Sequence, residues 1–408
     1  MDKVYSNITY VLADRSAAHE LKERLASLDT QLVFSNGTND ISRSLFKFKP
    51  DLIIIDHSFL ELYAREFEKI SRMNVGVRFI PVIYIGDSSD GHLESLGYFR
   101  SVYCFTPDNI SKVIDKATNL LAPSVRVRFW GVRGSTPCAN FENIEYGGNT
   151  SCVEIDAPGM DELLILDSGT GIRNLGNHLE MQDGSGCHGR IFITHPHWDH
   201  IQGFPFFKPF YSSSNKFSIH LPEQYRGGAQ EILSGHLTKT FFPVTLDMLA
   251  ADLEYVTQGE DEQDLGLYSV EYLVANHPTK TAIYKVRING LQIVYAPDNE
   301  LPLKTSPIRF LDNFETFIEG CDLLIHGGHF SLKQYDERVG WGHSAWERVV
   351  EVAKRNKVKN LYLIHHDPDA NDDALEKRDD ILKQYRGSVF NEVCLAKEGS
   401  EIRMLIGD

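Results

Sequence analysis

The chain has 408 residues, 42% of them apolar and 24% charged, which excludes a disordered or collagen-like polymer and suits two or three ordinary domains. Its formal charge of −16 repels long nucleic acids unless a local basic patch overrides it. No purely aliphatic run exceeds the four residues Leu52–Ile55, so no membrane span is expected. Met1-Asp2-Lys3-Val4-Tyr5-Ser6 lacks the basic start and apolar core of a secretory signal, and a cytoplasmic protein is the default.

In chain order, residues 1–122 alternate strand-like and helix-like patterns. Strands are predicted at Ile8–Ala13, Gln31–Phe34, Leu52–Ile55, Phe79–Ile85 and Val102–Phe105. Helices are predicted at Ala17–Leu28, around Ile41–Phe46, near Leu60–Ile70, near Leu93 and at Asn109–Leu121. Five βα repeats with near-continuous apolar strands imply a doubly wound parallel sheet. Pro123-Ser124 looks like a joint.

Beyond it, Val125–Trp130 alternates as a half-exposed strand, and Gly131, Gly134, Gly147 and Gly148 mark turns. Further strands are predicted at Ser151–Ile155, Glu162–Leu166, Gly189–Thr194, Ser269–Ala275, Ala282–Ile288, Gln292–Tyr295, Leu323–Ile325, Asn360–Ile364 and Glu401–Leu405. Helices fit Gly171–Leu179, Gly228–Leu233, Pro307–Ile318, Ser344–Asn356 and Asp373–Tyr385. This reads as a single α/β domain over residues 125–408.

None of the six cysteines forms a C-x-x-C pair, so buried free thiols are expected. Histidine is the informative residue: eleven of sixteen fall between His195 and His366. The strand ending at Thr194 runs into His195-Pro196-His197-Trp198-Asp199-His200, an H-x-H-x-D-H order. Three imidazoles and a carboxylate in six residues are costly to bury without a cation. Imidazole and carboxylate together suit zinc, manganese or iron, and a turn after a strand can aim them at two ions.

That motif resembles the metallo-β-lactamase superfamily. The segments around it resemble its phosphodiesterase branch, the phosphoribosyl cyclic phosphodiesterase and ribonuclease Z group. They are Phe129–Ser135, Tyr146–Ser151, Leu166–Gly171, His200–Phe204, Gly342-His343-Ser344 and Leu361–Pro368. The resemblance implies an αββα sandwich at residues 125–408 with two divalent metal ions, zinc or manganese with iron as a third option, at its edge. It implies His277, Asp298 and His365 as the remaining ligands. One ion would take His195, His197, His277 and Asp298; the other would take Asp199, His200, Asp298 and His365. His366 is the alternative to His365.

Asp199 would also orient or deprotonate the nucleophile. His343 is the candidate for stabilising the phosphate or protonating the leaving oxygen; otherwise it is a helix-start histidine with Ser344 as the cap. Asp167 resembles an aspartate that braces the metal loop from outside the ligand set. His326 is a candidate outer partner, while Gly327 stands where relatives carry an acid, and His329 reads as a loop residue. Phe204–Tyr211 and Phe241-Phe242 either pack in the core or cap the site and stack on a base. The acidic stretch Gly259–Gly266 reads as a solvated loop.

Residues 1–122 resemble a response-regulator receiver of flavodoxin-like fold. Asp56 takes the phosphoacceptor position. Asp14 remains of the usual acidic pair, with Ala13 for the other acid, Gly86 for the Ser or Thr switch and Thr106 for the lysine. That set implies a degenerate receiver used for docking a signalling partner or for dimerisation, over a working phosphoswitch.

The leading expectation is therefore a dinuclear-metal phosphodiesterase acting on a small cyclic or linear phosphodiester such as a cyclic nucleotide, as a homodimer without membrane association. Alternatives are a ribonuclease or deoxyribonuclease, a lactone or thioester hydrolase on the same metals, and a non-enzymatic relic. His197 stands where an oxygen-reducing di-iron site would need a carboxylate, so that chemistry is excluded.

Overall fold

The computed structural model describes residues 7–13, 15–35, 41–180, 186–225, 227–302 and 308–407. The chain divides into two compact units, one built chiefly on residues up to Pro123 and one chiefly on residues from Ser124 onward.

In the first unit, strands Gln31–Ser35, Ile8–Leu12, Leu52–Asp56, Val82–Ile85 and Val102–Phe105 lie side by side in that order, all parallel. This 2-1-3-4-5 order is the flavodoxin-like, doubly wound arrangement. Successive side chains of a strand face opposite ways, so both faces must be covered. Ile53 and Ile55 pack with Phe59 and Phe67 of helix His57–Met73, whereas Leu52 and Ile54 pack with Leu25 and Val113 on the other face. The central strand is accordingly buried throughout. The fourth strand starts at Val82 rather than Phe79, because a short helix, Val75–Arg78, occupies the approach and Phe79 caps it.

Asp56 ends the third strand and is 6% exposed. Its Oδ1 accepts the Phe59 N–H at 2.7 Å, capping helix His57–Met73. Asp14 lies outside the described residues. Gly86 has no room for a side chain, since a Cβ there would meet the Tyr84 hydroxyl at 2.3 Å.

In the second unit, one seven-stranded sheet runs Asp252–Gln258, Lys216–Pro222, His188–Phe192, Leu163–Leu166, Cys152–Asp156, Ser124–Gly131 and Glu401–Leu405. The other runs Gln263–Asp264, Tyr268–Val274, Ala282–Ile288, Leu291–Ala296, Leu323–Gly327, Asn360–Ile364 and Glu392–Leu395. Val127, Phe129, Val153 and Leu166 of the first meet Val270, Tyr284, Val286 and Ile293 of the second in one core. Helices Ile308–Ile318, Trp346–Arg355 and Asp372–Leu382 cover the second sheet's far face through Phe314, Val349 and Leu375. Arg126 and Arg128 alternate with the buried Val127 and pair with Asp156 and Glu154 at 2.6 and 3.3 Å.

Four of these strands escape the periodicity. Lys216–Pro222 carries a histidine and ends in proline, and Asp252–Gln258 is a polar edge strand. Glu392–Leu395 is short, and Gln263–Asp264 is a two-residue pairing inside the acidic stretch expected to be a loop. The buried-thiol expectation holds for Cys152 and Cys321 but not for Cys104, which is exposed. No helix among the described residues is long and apolar enough to cross a membrane.

The fold positions the site through strand direction. Leu163–Leu166 and His188–Phe192 are parallel, so both end at one edge of their sheet. In the other sheet, Leu291–Ala296, Leu323–Gly327 and Asn360–Ile364 are parallel. Tyr268–Val274 points the same way, because Ala282–Ile288 lies antiparallel between it and Leu291–Ala296.

Candidate metal centre

Asp167, His195, His277, Asp298 and His365 all follow the C-terminal ends of these strands. The turn through His195 and His197 leads into the short helix Trp198–Ile201, which carries Asp199 and His200. Two of these residues pay backbone strain for their positions: Asp167 and His365 sit at φ of 62° and 60°, in the left-handed region that side chains disfavour. Gly342, at φ of 86°, must lack a side chain because its Cβ would meet His277 Nδ1 at 2.1 Å.

The polar atoms converge. His277 Nε2 lies 3.3 Å from His197 Nδ1. His200 Nε2 lies 3.0 Å from Asp298 Oδ2 and 3.3 Å from Asp199 Oδ2. His365 Nε2 lies 3.0 Å from Asp199 Oδ2 and 3.3 Å from Asp298 Oδ2. Five overlapping groups result among the described residues: His195 with His197 and His277, His195 with His200 and Asp298, Asp199 with His200 and His365, His277 with Asp298 and His343, and His329 with His343 and His365. His366 turns elsewhere, its Nε2 lying 2.8 Å from Ala396 O.

Whether these residues fit metal ions is tested by their outward atoms. His195 Nε2, His200 Nε2 and Asp298 Oδ2 are buried and make no protein hydrogen bond. The opposite nitrogen of each imidazole is held: His195 by Thr194 Oγ1 at 3.1 Å, His197 by Thr279 Oγ1 at 3.0 Å, His200 by Asp167 at 2.8 Å, and His277 by Gly342 O at 3.1 Å. For His195 and His200 one buried nitrogen is fixed and the other is bare, the pattern of metal-binding histidines, while the inner nitrogens of the more exposed His197 and His277 face each other. The chemistry of these donors fits divalent metal ions.

Electrostatics agree. Burial alone would raise the Asp298 carboxyl, but His365 and His200 outweigh it and hold it well below the usual range. Asp199 is held down likewise, by His200 and His365 against burial. Burial pushes His195 well below an ordinary imidazole. Burial also opposes the charged form of His200 and His365, yet the surrounding carboxylates raise both. Two buried carboxylates thus demand positive charge at this point.

Asp167 braces the centre. Its Oδ1 accepts Thr194 N–H at 2.7 Å and the Thr194 hydroxyl at 3.0 Å; its Oδ2 faces His200 Nδ1 and accepts the Tyr295 hydroxyl, both at 2.8 Å. Asp199 Oδ2 accepts the Ser135 N–H at 2.7 Å, from a residue at φ of 61°. His326 touches Asn299 at 3.1 Å, beside Asp298, and the Gly327 carbonyl at 2.8 Å. His343 Nδ1 lies 3.3 Å from Asp298 Oδ1. Ser344 does not cap a helix: Ala345 is the cap residue of Trp346–Arg355, while the Ser344 hydroxyl donates to Asn299 O at 2.6 Å and accepts Leu301 N–H at 2.9 Å.

Three supporting residues carry no motif of their own. Buried Arg133 donates to Gly147 O, Asp367 O and Ala370 O, tying the glycine turn to the loop after His365. Glu300 accepts the Gly340 and Gly342 N–H groups at 2.9 and 2.8 Å and so holds the loop carrying His343. His329 is no simple loop residue; it is 4% exposed and its ring lies 4.7 Å from that of His343. The only signals were a lone arginine in a glycine turn, a glutamate two residues past Asp298, and a histidine three residues past His326.

A cavity of ≈ 400 Å³ opens onto the centre, lined by Ser135, His197, Trp198, Asp199, Asp298 and His343 among others. Trp198 is 76% exposed. The aromatic segment divides: Phe204, Phe207 and Phe210 are core, while Phe206 and Phe241 are exposed.

Residues 166–366 match the family model described as the β-lactamase superfamily domain. The metallo-β-lactamase fold protein YhfI of Bacillus subtilis superposes with a TM-score of 0.50 at 21% identity, over 69% of this chain and 100% of that one. The second unit has the metallo-β-lactamase fold. Unliganded yeast PDE1 superposes on this metallo-β-lactamase-fold chain with a TM-score of 0.51 at 15% identity, over 69% of this chain and 100% of that one. In sequence the chain is 23% identical to the ribonuclease Z of Natronomonas pharaonis over 281 residues, 59% of this chain and 87% of that protein. It is 23% identical to the ribonuclease Z of a Synechococcus over 318 residues, 67% and 97%. The chain is a metal-dependent hydrolase of this fold.

Proposed function

We propose that this protein is a phosphodiesterase that uses two divalent cations, zinc or manganese, to hydrolyse a small cyclic or linear phosphodiester. The observation that carries this reading is the set of bare, buried atoms His195 Nε2, His200 Nε2 and Asp298 Oδ2, with the two imidazoles held from behind by Thr194 and Asp167. Similarity to proteins named ribonuclease Z and to yeast PDE1 supports phosphorus as the electrophile.

Cations bound there would polarise a phosphoryl oxygen and lower the pKa of a water toward neutrality. The chain supplies the rest. Asp199, fixed by the Ser135 N–H, orients the attacking water and takes its proton. His343 lines the cavity, and burial keeps its imidazole well below the ordinary pKa. It therefore acts as a neutral N–H donor to a phosphate oxygen in this reading. Trp198 offers an exposed face on which a nucleobase can stack. Among the described residues no lysine or arginine lines the cavity, which favours a diester carrying one charge over a polyanion.

The test is hydrolysis of a chromogenic phosphodiester with manganese and zinc supplied separately, compared with RNA at low salt. Turnover of the small diester that falls at least about 10²-fold in Asp199→Ala is expected. Cleavage of RNA without turnover of any small diester would favour the nuclease reading instead.

The same proposal takes residues 1–122 as a degenerate receiver that docks a signalling partner or a second copy. The sheet order supports a receiver-like unit, and the buried, helix-capping Asp56 beside a Gly86 that cannot carry a switch side chain supports degeneracy. Incubation with acetyl phosphate and Mg²⁺ should leave Asp56 unmodified by mass spectrometry; stoichiometric phosphorylation there would contradict it.

A further inference from the structure

The geometry assigns His329 as a positioning residue for the ligand His365 and for His343, filling the role that an acid at position 327 cannot fill in this chain. This inference rests on the dinuclear reading above.

Every other histidine of the ligand set has an outer partner of ordinary type: a threonine hydroxyl, Asp167 or a backbone carbonyl. His365 has His329. The two Nδ1 atoms are 3.2 Å apart, and His329 Nδ1 is also 2.8 Å from the His365 carbonyl oxygen. The rings of His329 and His343 stack at 4.7 Å and 20°, and those of His343 and His365 at 5.0 Å and 25°. The rings of His329 and His365 also lie 5.2 Å apart, so the three imidazoles form one cluster in which His329 packs on both His365 and the cavity-lining His343. His329 and His343 both sit beside Phe330, which backs the cluster at 4.6 and 6.0 Å. Gly327 offers no side chain, and a Cβ there would meet Pro297 O at 2.0 Å, so position 327 cannot regain an acid without moving the strand exit that carries Asp298.

The shorter contact gives the interaction a direction. A carbonyl oxygen only accepts, so His329 Nδ1–H donates to the His365 carbonyl at 2.8 Å and holds the backbone of a residue at φ of 60°.

Two full-length variants and one spectrum test this. His329→Phe keeps a ring in the cluster but removes both nitrogens. His329→Asn keeps an N–H donor near the position of Nδ1. Zinc binding by calorimetry should show one of two sites weakened roughly 10–100-fold in His329→Phe, with most of the loss recovered in His329→Asn. Ring ¹⁵N shifts of His329 should show the Nδ1–H pattern that the bond to the His365 carbonyl requires. Wild-type affinities in His329→Phe, or no recovery in His329→Asn, or an Nε2–H pattern at His329, would each overturn the assignment. Failure of the wild type to bind two zinc ions would instead overturn the dinuclear reading itself.

Discussion

Asp298→Ala is expected to bind fewer than two metal ions and to lose at least about 10³-fold in kcat/KM, as when the central member of a catalytic unit is removed. The reason is geometric. Asp298 Oδ2 faces both His200 and His365 at 3.0 and 3.3 Å, and Oδ1 faces His343 at 3.3 Å. It also shares a ligand group with His195. Among the described residues no other carboxylate falls in a group with His195 or His277; Asp199 lies with His200 and His365. The fold should survive, because the alanine removes a buried charge that the protein alone satisfies only through protonated histidines. Metal content by mass spectrometry and circular dichroism on the same sample check both halves. Two bound ions and full turnover in the variant would remove Asp298 from the site.

Asp167→Ala should have the largest effect on stability. The carboxylate is fully buried, and it satisfies Thr194 N–H, the Thr194 hydroxyl, His200 Nδ1 and the Tyr295 hydroxyl. Deleting it strands several buried polar groups at once, at a cost of about 3–5 kcal/mol. The alanine must also accept the left-handed backbone at φ of 62°. Denaturant unfolding with a chelator present isolates this term from metal binding. Asp167→Asn should lie between, since its oxygen can still accept from Thr194. A loss under about 1 kcal/mol for the alanine would mean the network is not a structural brace.

The candidate ligands of the second unit were legible because ligand types are few and the strand exits are compact. His195, His197, Asp199 and His200 lie within six residues, and the turn alone brings them together. His277, Asp298 and His365 were placed through the family resemblance and sit at strand ends as expected. The parallel, doubly wound sheet of the first unit followed from five apolar strands with helices between, but its strand order did not.

What escaped is what depends on tertiary packing. Asp252–Gln258 alternates too weakly to announce itself, because an edge strand keeps much of its surface in water. Ser344 looked like a helix cap, yet its hydroxyl bridges to Asn299 and Leu301, forty-odd residues away in the chain. His329 looked like a loop residue, because nothing in its neighbours announces the stack on His343 and His365. Arg133 and Glu300 act through backbone groups of distant loops, and such partners leave no pattern in sequence.

The most direct test of the central claim is turnover of the chromogenic phosphodiester by metal-stripped protein titrated with zinc. Activity that rises to a break at two zinc per chain, and stays absent in Asp298→Ala at every zinc level, is the predicted result. A break at one zinc, or turnover that ignores zinc, would contradict a dinuclear centre built on Asp298.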